Sequence, residues 1–243
     1  MIPIMQDSIT RFLARKTQEI KDSSQKAIEF NVVQDNELMI GEILVRIFFS
    51  EEAVHKKVHG MSFSLALAEF TTTMFHRSRT GQNIIMELFL GEAVTRFNFT
   101  KADKKLEELI TDIRVVINEI LEERMAKEDD QDKDFIYNYL QRMREVEAEI
   151  KEAELKGQPH SLRKITKEEI MHQLISFYFA GIDTTGHLIA MSLYALAEYP
   201  EYRQRVVDEL LEHIKSPADI SYENLQVNFA FKIEIGIYGK IHG

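Results

Sequence analysis

The sequence predicts a mainly α-helical fold. Three observations carry that expectation. Only four of the 243 residues are proline, so long stretches are free to coil. Apolar residues recur at three- and four-residue spacing over most of the length. Helix start and stop signals also stand where the periodic segments begin and end. The hydrophobic share of 44% and charged share of 29% are those of a globular chain. A net charge of −10 excludes the broadly basic surface that a nucleic-acid binder needs. The chain has no cysteine, which rules out disulfides and thiolate metal ligands in these residues. The N-terminus, MIPIMQDSITRFLARK, lacks a signal-peptide core. No run reaches the roughly 20 apolar residues of a spanning helix.

Taken in order, Ile9, Phe12, Leu13, Thr17 and Ile20 set a first helix. ELMIGEILVRIFFS, after Asn36, predicts a short buried helix in which Gly41 admits a close neighbour. FSLALAEFTTTMF, residues 63–75, is a third, with RSRTGQ as a loop behind it. From Lys101 the pattern is cleanest: Leu106, Leu109, Ile110, Ile113, Ile117, Ile120 and Leu121 form one stripe. KEDDQDKD, residues 127–134, predicts a hydrated loop, and residues 135–156 a charged helix with little for a core. Thr166-Lys167-Glu168-Glu169 has the form of a capping box. It opens a long central helix over residues 166–199, and Pro200 starts the next. Strand signals are weak throughout.

That central helix carries FYFAGIDTTGHLIA, and Gly181 to Gly186 is a poor helix-forming stretch. Summed propensities put the local penalty at roughly 3 to 4 kcal/mol, and such violations concentrate at functional or strained sites. The glycines remove bulk, so a flat group can lie against the helix. Thr184 and Thr185 can bond back to the carbonyls of Ala180 and Gly181, bending or opening the turn. Asp183 beside Thr184 puts a carboxylate and a hydroxyl in one apolar wall, the parts of a proton relay. The same glycines and threonines also suit close helix packing, a purely structural alternative. An aspartic-protease loop is excluded, because neither a strand-and-turn setting nor a second matching motif is present.

Ala180-Gly181-Ile182-Asp183-Thr184-Thr185 resembles the A/G-G-x-D/E-T-T/S signature of the cytochrome P-450 heme-thiolate monooxygenases. FYFAGIDTTGHLIAMSLYALAEYPEYRQRVVDEL is similar to that family's long central helix and its junction with the next, through Tyr199, Pro200 and Glu201. Looser likeness covers residues 1–226. Residues 63–73 and 101–125 look like the two helices that roof the substrate pocket. The resemblance implies the distal, substrate-roof half of an all-α fold, organised as a single partial domain over residues 1–243 with an atypical tail at 227–243. It implies a heme cofactor approached by Ala180, Gly181 and Thr185. Thr184 would act at bound dioxygen, Asp183 would relay protons, and Phe177 would shape the substrate site. An apolar small-molecule substrate, O2 and an electron-donating reductase are the implied partners.

The chain departs from the family in two places. It has no cysteine for the iron, and FKIEIGIYGKIHG stands where a Glu-x-x-Arg helix is expected. The resemblance therefore predicts a chain inactive by itself, with much of its central helix uncovered. A non-enzymatic helical remnant or interaction protein is the competing expectation. Localisation would be the endoplasmic reticulum membrane if a complete form carries an N-terminal anchor, and cytoplasmic otherwise. No metal ligands are expected. His55 and His59, spaced i, i+4, read as surface histidines, and Asn98-Phe99-Thr100 as a chance glycosylation triplet.

Overall fold

A computed structural model describes residues 1–24, 27–79, 101–127 and 134–226. Of the expected RSRTGQ loop, Arg77, Ser78 and Arg79 instead continue the third helix; residues 80–82, the Asn98-Phe99-Thr100 triplet, most of the 127–134 run and the 227–243 tail lie outside the described residues. Eight α-helices are described: α1 (Ile2–Asp22), α2 (Val32–Phe48), α3 (Phe63–Arg79), α4 (Lys101–Ala126), α5 (Phe135–Leu155), α6 (Lys167–Glu198), α7 (Pro200–His213) and α8 (Tyr222–Gln226). The mainly helical expectation holds. One small sheet adds to it: β1 (Lys57–Val58) pairs antiparallel with β2 (Met61–Ser62). His59 and Gly60 make the two-residue turn, both at positive φ, the backbone that two-residue hairpins favour. His55 instead sits in a short 3-10 turn, so the two histidines do not share a helix face.

The chain packs as two compact units, Glu37–Thr184 and Met1–Asn36 with Thr185–Gly243, where the sequence leads one to expect a single partial domain. α2 and α6 each run through a division point.

The Glu37–Thr184 unit holds most of the core. α4 buries Leu109, Ile113, Val116, Ile117, Ile120 and Leu121, largely the stripe its periodicity predicts. α5 is a correction: Ile136, Leu140, Met143, Val146 and Ile150 form a buried stripe inside the charged sequence. Asp134 corrects the solvated-loop expectation too. It caps α5, accepting from the Tyr137 N–H at 2.9 Å, and takes two bonds from the buried Arg124 guanidinium at 2.6 and 3.0 Å. One carboxylate thus satisfies a helix start and neutralises a buried charge. α2 begins a turn earlier than expected because Asn31 caps it, its side chain accepting from the Gln34 N–H at 3.2 Å.

In the other unit, α1 buries Phe12 edge-on to Phe30, with centroids 6.4 Å apart. Lys16 pairs with Asp35 at 2.7 Å, and that bond raises the lysine's pKa. The Gln6 amide donates to the Pro217 carbonyl at 2.9 Å. Pro200 occupies the first turn of α7, and none of that helix's residues is buried.

Candidate functional site

The sequence-singled residues all lie on α6, and its start is fixed as expected. The Thr166 N–H donates to the Glu169 carboxylate at 2.9 Å, and the Glu169 N–H to the Thr166 hydroxyl at 3.2 Å. Arg163 adds an ion pair to Glu169 at 2.5 Å. These partners, the Thr166 N–H foremost, hold the Glu169 carboxyl below its ordinary value. Lys167 and Glu168 reach α4 through Glu122 and Arg114, at 2.8 and 3.2 Å.

Through the glycine-threonine stretch α6 stays α-helical. The expected back-bond exists: the Thr184 hydroxyl donates to the Ala180 carbonyl at 2.6 Å. It bridges one turn without breaking the helix. Ala180 and Thr184 are both exposed, and so is Thr185, which follows Thr184 about 100° farther round the helix. Ala180 and Thr184, four residues apart, form a narrow strip with only a methyl and a tethered hydroxyl. Farther along the same helix Leu188 and Met191 are exposed too.

α2 crosses this segment antiparallel. Gly41 receives Tyr178 and Ile182: a Cβ there would stand 2.9 Å from the Tyr178 hydroxyl. Gly181 in turn receives Leu44, whose methyls lie 3.2 and 3.4 Å from where its Cβ would be. Gly41 therefore serves the close neighbour expected of it. Gly181 spends its missing side chain on helix packing, the structural alternative. Phe177 is 41% exposed, but its ring stacks on Phe48 (6.0 Å) and meets Phe135 edge-on (5.4 Å).

Asp183 is half-buried. Sequence reasoning missed its neighbour Glu37, half-buried on α2, with a carboxylate oxygen within 4.8 Å of one on Asp183. No local signal marks Glu37, since 146 residues separate the two acids. Within the Glu37–Thr184 unit, among the described residues, no three metal-donor side chains converge. Among the described residues no helix is long and apolar enough to cross a membrane.

Comparison with known proteins agrees with the motif. The family model "Cytochrome P450" matches residues 1–227. Human cytochrome P450 4Z1 is 23% identical over 232 residues, which is 92% of this chain and 41% of that protein. Secologanin synthase 2 of Catharanthus roseus is 27% identical over 146 residues, 53% of this chain and 26% of the relative. Human cytochrome P450 4F2 is 35% identical over 65 residues, 26% of this chain and 12% of the relative. The chain thus spans about two fifths or less of the length of these relatives.

Proposed function

The chain belongs to the cytochrome P450 family, and from that premise we propose that it forms the distal, substrate-roof part of a heme-dependent monooxygenase that hydroxylates an apolar organic molecule. The observation that carries the proposal is the strip of Ala180 and Thr184, exposed and small, with its hydroxyl tied at 2.6 Å to a helix carbonyl. The strip fits one face of a flat macrocycle: a methyl at Ala180 lets a ring approach the helix within van der Waals contact. When bound, heme supplies the O2-activating chemistry, with electrons from a reductase.

The chain's own residues would manage protons and position. Because the Thr184 hydroxyl gives its proton to the Ala180 carbonyl, its oxygen presents lone pairs to the exposed side. Thr184 therefore acts first as an acceptor, holding a water or a protonated group at a fixed point. Asp183 stands next in the chain with a Glu37 carboxylate oxygen within 4.8 Å of its own, and this pair would supply protons on the side of the helix next to Thr184. Ala180 and Thr185 would contact the cofactor. Gly181 contributes by letting α2 seat Leu44 and so fix the helix. Phe177 would reach substrate only with the exposed part of its ring. These 243 residues contain no cysteine for the family's thiolate, so we expect no turnover from them alone. That absence also favours a second reading for the isolated chain, a helical interaction protein.

The test is Thr184→Ala in a form of the protein extended to supply the thiolate ligand, loaded with heme and given its reductase. Heme content should be unchanged, while product formed per electron pair falls several-fold and hydrogen peroxide rises to match. An unchanged product yield would remove the proposed role of this strip.

A further inference from the structure

The turn of α6 that leads into the motif is held from two directions. Tyr178 is 1% exposed, and burial drives its phenol pKa far upward, so the hydroxyl is a permanent donor. It donates to the Ser64 carbonyl, in the first turn of α3, at 3.2 Å. A second path joins the same two turns through aromatic rings. Phe63, the first residue of α3, meets Phe49 edge-on at 5.2 Å, and Phe49 leans on Tyr178 at 6.4 Å. Phe49 and Phe63 are wholly buried. Gly41 on α2, lacking a side chain, admits the hydroxyl: a Cβ there would stand 2.9 Å from it.

From these contacts we propose that Tyr178 is a positioning residue, coupling the first turn of α3 to the height and rotation of Ala180, Asp183 and Thr184 on α6. The inference rests on the reading of α3 as a roof helix over the substrate. A roof that shifts when substrate enters then moves the motif with it, because the ring path and the hydrogen bond leave the two turns no independent motion. Tyr178 touches no reacting group. Its effect passes through the backbone of α6.

Two measurements test this. The first is amide hydrogen exchange of the chain with Tyr178→Phe, which keeps the rings and deletes the bond. Exchange should rise together in residues 63–67 and 177–186, about fivefold for one lost hydrogen bond, with α5 unchanged. Leu140→Ala, a core lesion away from the path, serves as control and should raise exchange in α5. A rise spread evenly over all helices, or confined to one of the two turns, would overturn the proposal. The second is product yield per electron pair in the heme-loaded form extended to supply the thiolate ligand, with Thr184→Ala alongside. Both variants should lower it. If Thr184→Ala lowers it and Tyr178→Phe does not, the coupling is refuted while the motif's role stands. If neither lowers it, the functional reading of α6 fails and the coupling to catalysis with it.

Discussion

Asp134 is the point at which one substitution should cost most for its size. Arg124 is 1% exposed and its partner's side chain 13%, so replacing Asp134 with Ala takes two charge-assisted bonds from a buried guanidinium. Breaking such a pair from one side costs about 3–5 kcal/mol, and the lost cap on Tyr137 adds about 1 kcal/mol. We expect Asp134→Ala to lose about 4–6 kcal/mol. Asp134→Asn keeps a cap acceptor and one bond to Arg124, and should lose about 2–3 kcal/mol, the worth of charge-assisted bonds. Adding Arg124→Met to Asp134→Asn removes the buried charge and should restore about 1–2 kcal/mol. The assay is urea unfolding followed by far-ultraviolet circular dichroism. With a slope of ~2–3 kcal/mol per molar urea, Asp134→Ala should move the midpoint by about 1.3–3 M. A loss under ~1 kcal/mol for Asp134→Ala, or a double variant no more stable than Asp134→Asn, would refute the reasoning.

Three further outcomes follow from the same structure. Gly41→Ala should destabilise by about 1–3 kcal/mol, because its methyl meets the Tyr178 hydroxyl at 2.9 Å; in a Tyr178→Phe background most of that cost should vanish in thermal unfolding. Leu140→Ala removes a side chain only 2% exposed and should cost about 2–4 kcal/mol, read from the same urea curves. The Thr166 N–H, with Arg163 beside it, holds the folded-state pKa of the Glu169 carboxyl below its ordinary value. Its contribution is therefore complete above the unfolded value and lost as pH falls through the lower folded one. Stability of the chain relative to Glu169→Gln, measured from neutral to acid pH, should be greatest near neutrality and shrink below about pH 4.5.

Where a feature depended on neighbours in sequence, it was legible. The α4 stripe shows because its apolar residues are dense and evenly spaced, and the Thr166 box shows because both partners lie within four residues. α5 has the same geometry, with Ile136, Leu140, Met143, Val146 and Ile150 at four- and three-residue steps. Its Glu, Arg and Lys density hid a stripe only one residue wide. Asp134 looked like the end of an acidic loop because Arg124, ten residues back, gives no sign of being buried. The motif itself was readable as a violation of helix propensity, and the family follows from it. What its glycines admit was not. A missing side chain is compatible with a ligand or a neighbouring helix, and only the path of α2 shows Leu44 against Gly181. Glu37 was invisible for the same reason.

The meeting of α2 and α6 works like a toothed rack. Gly41 receives Tyr178 and Ile182, Leu44 lies against Gly181, and Phe48 stacks on Phe177. A shift of α2 by one residue would drive Ile40 or Glu42 into the slot that only a glycine leaves open. A one-residue slide of α2 along α6 therefore meets a steric barrier at position 41. Sequence drift is constrained in the same way. A larger residue at position 41 is acceptable only after position 178 has shrunk, so these two sites, 137 residues apart, are expected to change as a pair.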